Sequence, residues 1–188
     1  GPARARRAPP MDSGELKTLT KRLRRTPAHG GRATATAVRY GVPALERILP
    51  HRAPFLLLDG IDAVDLAERT ILGHRRLDPA DPVFAGHFPG TPVYPGVLQV
   101  EMTGQLALCL THFLSKQTLE IPPDTTPIAV RALSIHAAQY LEPLLPGDDL
   151  ELHAVIIAED GMTATAAGQV VKNGRVASYA VQEVYLVD

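Results

Sequence analysis

The chain has a single cysteine, Cys109, so no intrachain disulfide framework exists, and one thiol suits a reducing cytoplasm. No apolar run reaches the roughly 18 uncharged residues that a membrane-spanning helix needs. The N-terminus has no apolar core of a signal peptide, and the leading Gly1-Pro2 reads as a scar of tag cleavage. No cysteine–histidine group has zinc spacing, and no glycine-rich phosphate loop is present. Metal and bound cofactor are therefore not expected, nor is association with a membrane.

What is present is divided. Residues 1–39 hold ten Lys+Arg against two Asp+Glu, and residues 40–188 hold nine against eighteen. A basic arm, residues 1–42, precedes an acidic domain, residues 43–188. The arm has few large apolar residues, and such a segment cannot offset its ordering entropy alone. Against that, Leu16, Leu19 and Leu23 have helical spacing, with Asp12 or Ser13 as a cap. A nucleic-acid role is not expected, because no aromatic stacking residues are interleaved with the charges. A solvated tail and a docking arm for an acidic partner both remain open.

Within the domain, PALERILP (43–50) reads as a short helix closed by Pro50. FLLLDGIDAVDL (55–66) and RTILGHRRL (69–77) read as strands. GVLQVEMTGQLALCLTHFLSK (96–116) reads as a long helix, apolar nearly all round and hence buried. Gly104 within it predicts close approach of another backbone. Four strands follow, over 127–138, 149–159, 162–172 and 175–187, with hairpin signals at Asp160-Gly161 and Asn173-Gly174. The expectation is α+β: one long helix against an antiparallel sheet of about five to six strands.

The chemistry concentrates in GHFPGTPVYPGVLQVEMTGQ (86–105). His87 sits on a proline-stiffened loop and can be neutral at pH 7, as a general base. Glu101 lies among Val97, Leu98, Val100 and Met102, where burial should raise its pKa and keep it protonated as a general acid. Gly96 opens the helix with a free N–H that can stabilise an enolate-like thioester oxygen. Pro95 fixes the helix entry. Base, acid and oxyanion donor suit β-elimination of water.

These residues, with LPHRAPFLLLD at 49–59, closely resemble the bacterial (3R)-hydroxyacyl-[acyl carrier protein] dehydratases. The resemblance covers roughly residues 45–188. It implies a hotdog fold, a curled antiparallel sheet wrapped on the long helix. It also implies a homodimer, or a trimer of dimers, with His87 of one subunit facing Glu101 of the other. It implies dehydration of a β-hydroxyacyl thioester carried on the phosphopantetheine of acyl carrier protein, in fatty-acid or polyketide synthesis. His87 would take the C2 proton, Glu101 would protonate the leaving hydroxyl, and Gly96 N–H, with Val97 beside it, would hold the carbonyl. Gln105 would orient the acid. Phe88 and Tyr94 would line the acyl tunnel or pack the loop. Glu at 101, where the isomerising branch carries Asp, favours dehydration alone.

One segment departs from the family. Basic residues usually precede the Pro-Gly-Asp turn, where the carrier protein docks, and here Gln139, Tyr140, Leu141 and Glu142 stand instead. Arg52, Arg75, Arg76 and Arg131 remain as contacts, and the basic arm is a candidate replacement. The arm's composition points towards a polyketide or polyene pathway. A hotdog thioesterase and a non-catalytic acyl-binding or heterodimer partner are the alternative functions. Cys109 reads as a core residue, and His51, His74, His112, His136 and His153 carry no metal spacing.

Overall fold

A computed structural model describes residues 11–30 and 34–187, so Gly1-Pro2 lies outside the described residues. In chain order the elements are α1 (Ser13–Leu23), β1 (Thr36–Gly41), α2 (Val42–Ile48), β2 (Gly60–Asp65), β3 (Thr70–Arg76), α3 (Val83–Gly86), α4 (Gly96–Lys116), β4 (Ala129–Tyr140), β5 (Asp149–Glu159), β6 (Thr163–Lys172) and β7 (Arg175–Val187). The strands form one antiparallel sheet in the order β1-β2-β3-β5-β6-β7-β4. α4 packs along one face, against β3, β5, β6 and β7. This is the hotdog arrangement, α+β with a long central helix.

The sheet has seven strands, against an expected five to six. The additional strand is β1, whose TAVRYG has no fully buried residue and therefore no clear alternation to read. The apolar run at 55–59 is not strand: β2 begins at Gly60, and Leu57 donates its N–H to the side chain of Gln105 (2.9 Å) instead of to a neighbouring strand. The four-residue α3 lies inside the loop read as irregular.

α4 is buried over 13 of its 21 residues, as its nearly uniform apolar surface requires. It ends at Gln117 in the left-handed region, φ 51°. The close approach expected at Gly104 is to a side chain: the amide of Gln182 lies 2.9 Å from where a Cβ would stand. Backbone contact with the helix occurs one residue earlier. A Cβ on Gly168 of β6 would lie 2.4 Å from Cβ of Thr103. At the β6–β7 hairpin both Asn173 (φ 51°) and Gly174 (φ 76°) are left-handed, which is the conformation of a type I′ turn.

The arm folds onto the opposite face of the sheet. Strand residues alternate in direction, so Ala166 and Val170 face α4 while Ala167 joins Tyr179 and Val181 beneath Leu19 and Leu23 of α1. Asp12 caps α1, accepting from Glu15 N–H (2.8 Å), and the Glu15 carboxylate returns to Asp12 N–H (3.1 Å). Beyond the helix, the fully buried Gln169 donates to Leu23 O and Thr26 O (both 2.8 Å) and accepts from Ala28 N–H (2.7 Å). His29 N–H donates to His153 Nδ1 (3.0 Å), and Thr34 Oγ1 donates to Asp65 (2.5 Å). Burial opposes ionisation of Asp65, but the Thr34 and Glu68 hydrogen bonds outweigh it and hold the carboxyl below its ordinary range. Thus residues assigned to the arm supply a helix, the first strand and a buried polar seam.

Candidate active site

His87 follows α3 and begins a loop tied back on itself. Its N–H bonds Val83 O (3.0 Å), its carbonyl accepts from Val93 N–H (2.9 Å), and Phe88 and Thr91 exchange backbone bonds (3.2 and 3.0 Å) around Gly90, φ 75°. The imidazole Nδ1 lies 2.7 Å from Val93 O. A carbonyl only accepts, so Nδ1 carries the proton and the neutral ring presents Nε2 as a bare base. Phe88 stacks on this ring at 4.0 Å and is half-exposed. Tyr94 is buried against Phe84, and burial pushes its phenol up to about 12, so it stays neutral.

Pro95 leads into α4 in extended conformation, and Gly96 and Val97 occupy the first two helical positions. Their N–H groups have no carbonyl four residues back within the helix and make no hydrogen bond among the described residues. His87, Tyr94, Gly96 and Val97 line one open cavity of about 480 Å³. Val97 is 74% exposed there. Tyr140, the last residue of the edge strand β4, covers Gly96 so closely that a Cβ at that glycine would stand 2.6 Å from its ring. The base and the free N–H groups at the helix start are therefore brought together.

Glu101 is elsewhere, and the cavity of its own chain is not lined by it. Its Oε1 accepts from Gln105 Nε2 (3.0 Å) and lies 3.2 Å from His51 Nε2. Gln105 is buried and saturated: it also donates to Phe55 O (2.8 Å) and accepts from Leu57 N–H (2.9 Å). The raised pKa expected of Glu101 is not found. The hydrogen bond with His51 is the largest influence and, with that of Gln105, outweighs burial, holding the carboxyl below its ordinary value. His51 carries no signal at sequence level beyond its place in LPHRAPFLLLD, because a test for metal spacing cannot reveal a carboxylate fifty residues away.

The arginines expected as carrier contacts divide. Arg52 donates to the carbonyls of Glu46, Leu49 and His51 (2.9, 2.9 and 2.7 Å), and Arg75 is engaged by Leu56 O (3.4 Å) and Asp59 (3.5 Å). Arg131 is exposed, and Arg76 only approaches Asp149 (4.0 Å). Cys109 is fully buried on α4, and desolvation pushes its thiol far above its ordinary value, so it is inert. Among the described residues, no three His, Cys, Asp or Glu side chains group as a metal ion requires, and no helix is long and apolar enough to cross a membrane.

Comparison with known proteins shows the family. A FabA-like domain matches residues 49–180. The 3-hydroxyacyl-[acyl-carrier-protein] dehydratase FabZ of an Anaeromyxobacter species is 35% identical over 141 residues, covering 75% of this chain and 86% of the relative. The FabZ of a Nitratiruptor species is 33% identical over 147 residues, covering 78% and 97%. Among solved structures, the dehydratase heterocomplex ApeI:P from Xenorhabdus doucetiae has a similar fold, with TM-score 0.57 at 18% identity over 77% of this chain and 91% of that one.

Proposed function

The chain belongs to the FabA-like domain family and is a hotdog dehydratase of 3-hydroxyacyl-[acyl-carrier-protein] thioesters, and we propose that His87 and Glu101 carry the elimination. The observation that carries this is the fixed tautomer of His87, whose bare Nε2 shares a cavity with the free N–H groups at the start of α4.

Nε2 of His87 takes the C2 proton, and the electrons of that C–H bond move towards the thioester carbonyl. Gly96 N–H, supported by the helix dipole, stabilises the charge developing on that oxygen. The C2=C3 double bond then forms as the C3–O bond breaks. Its electron pair leaves on oxygen, which takes a proton from the protonated form of Glu101, a form that the His51 and Gln105 hydrogen bonds keep sparse near neutrality, and departs as water. The ionised Glu101 is met by two donors already aimed at Oε1, a stabilisation made mainly after the proton has left. The proton on His87 returns to Glu101 through solvent, closing the cycle.

This requires the two residues to meet across subunits. Edge strand β4 is 12 residues long and exposes Leu133 and Ile135, which suits edge-to-edge pairing with a second copy, as a homodimer or a trimer of dimers. Phe88 and Val97, exposed beside the cavity, are positioned to border an acyl chain in such an assembly. Glu at 101 supports dehydration without isomerisation. No cofactor enters the scheme beyond the carrier's own phosphopantetheine.

The carrier protein docks, in this reading, on α1. Lys17, Lys21, Arg22, Arg24 and Arg25 are exposed and make no ion pair among the described residues. Leu23 packs on Tyr179, and the strand partner of Tyr179 is Gln139, next to Tyr140 at the cavity mouth. The cationic end of α1 thus lies near the entrance, in a chain whose remainder is acidic. With the altered 139–142 segment, this supports a pathway-specific enzyme, with polyketide synthesis as its setting.

Mass spectrometry of a 3-hydroxyacyl carrier-protein thioester tests the scheme. Loss of one water by the wild type, and not by His87→Ala or Glu101→Gln, is expected. Release of free thiol, or turnover surviving both substitutions, refutes it and points to a thioesterase or to other groups.

A further inference from the structure

Resting on the dehydratase reading, we propose that His51 is a positioning residue of the acid: its Nε2–H holds Oε1 of Glu101 so that Oε2 alone meets the substrate hydroxyl. The geometry is asymmetric. Both donors near this carboxylate, His51 Nε2 at 3.2 Å and Gln105 Nε2 at 3.0 Å, lie against Oε1. Oε2 makes no hydrogen bond among the described residues.

The ring is built to hold one tautomer. His51 Nδ1 is buried without a partner, whereas Nε2 faces a carboxylate that can only accept when ionised. A buried bare nitrogen costs less than a buried N–H with nothing to receive it, so the single proton of the neutral ring sits on Nε2. Phe55 stacks on the imidazole at 6.4 Å, with planes 24° apart. Arg52 braces the turn that carries it, through the carbonyls of Glu46, Leu49 and His51.

Two consequences follow for the proton delivered to the leaving hydroxyl. It must reside on Oε2, because Oε1 is occupied, so the acid has one direction of delivery. As the O–H bond of the carboxyl breaks, its electron pair stays on Glu101, and the charge delocalises onto Oε1 where two N–H groups await it. His51 never touches substrate and acts only through Glu101.

The test compares His51→Phe, which keeps a flat ring against Phe55 and lacks the donor, with His51→Gln, which restores an N–H. Dehydration is followed against pH with a carrier-bound 3-hydroxyacyl thioester. For His51→Phe, kcat is expected to fall about 10- to 100-fold with KM within about two-fold. Its acidic limb should move to higher pH, because the donor that favours the ionised carboxyl is gone and the lower-titrating carboxyl sets that limb. His51→Gln should recover most of kcat and return the limb. A rate lost equally at every pH with the limb unmoved, or a folded His51→Gln as impaired as His51→Phe, overturns the proposal. If His51→Phe does not fold, ¹⁵N NMR of the wild-type imidazole decides. A proton on Nε2 sustains the proposal, and a bare Nε2 defeats it. That measurement needs no turnover, so an inactive wild type would count against the dehydratase reading alone.

Discussion

Gln169→Leu tests whether the N-terminal segment is part of the folded domain. Leucine has nearly the volume of glutamine, so the change removes polar bonds without opening a large cavity. Three bonds are lost, to Leu23 O, Thr26 O and Ala28 N–H. Each buried backbone group left without a partner costs about 1–3 kcal/mol. Only the bond to Leu23 O is fully buried, and the other two groups can turn towards water, so the sum is about 2–5 kcal/mol with the arm still docked. Undocking avoids that cost but exposes Leu19 and Leu23, each about 1.5–3 kcal/mol of burial. The two routes are comparable, so the variant should both lose stability and open its arm. At roughly 2–4 °C per kcal/mol for a domain of this size, Tm should fall by about 4–20 °C. Trypsin should cut rapidly at the exposed basic residues between Lys17 and Arg25, before the domain is degraded. A Tm within about 1 °C of the wild type, with undiminished resistance to trypsin, would refute the seam.

Other outcomes follow from single features. Gly168→Ala should cost about 1–3 kcal/mol, since its methyl meets the stiff β-branched Thr103 at 2.4 Å; a chemical-denaturation midpoint equal to that of the wild type contradicts such close contact. Replacing Lys21, Arg22, Arg24 and Arg25 with glutamine should raise KM several-fold for carrier-bound substrate at low salt and leave a pantetheine substrate unaffected; equal effects on both argue against docking on α1. Acidification should loosen the arm. Burial holds His153 below its ordinary value, despite the opposing pull of Glu151, so below about pH 6.5 the unfolded chain binds more protons and stability falls as pH falls. Thermal melts at about pH 7.5 and 5.5 should show that loss, with a smaller one in His153→Gln, and a wild-type curve flat over this interval speaks against it.

Much of the site was legible in the sequence because its parts are local. His87, Gly96 and Glu101 lie within fifteen residues, and proline and glycine announce the loop and the helix start. α4 spans Gly96–Lys116, the range its apolar pattern predicts, and the Asn173-Gly174 hairpin forms where its turn chemistry requires. What was hidden depended on partners distant in the chain. Glu101 among apolar neighbours predicts a raised pKa only while His51, fifty residues upstream, is left out of its surroundings. β1 escaped notice because an edge strand with little buried surface has little pattern to show. Gly104 and Gly168 make the same point, since a glycine signals that something is close but not what.

By itself, then, the sequence determined which residues are candidates for the chemistry, where the long helix runs and which turns close the hairpins, because periodicity, capping and turn conformation act over a few residues. Tertiary structure alone decided the fate of the basic arm and the electrostatics of Glu101. Gln169 reaches back 146 residues to bond Leu23 O, and His51 meets Glu101 between a loop and a helix. Hydrogen bonds and burial depend on distance in space, and no spacing along a chain encodes which remote groups the fold will bring together.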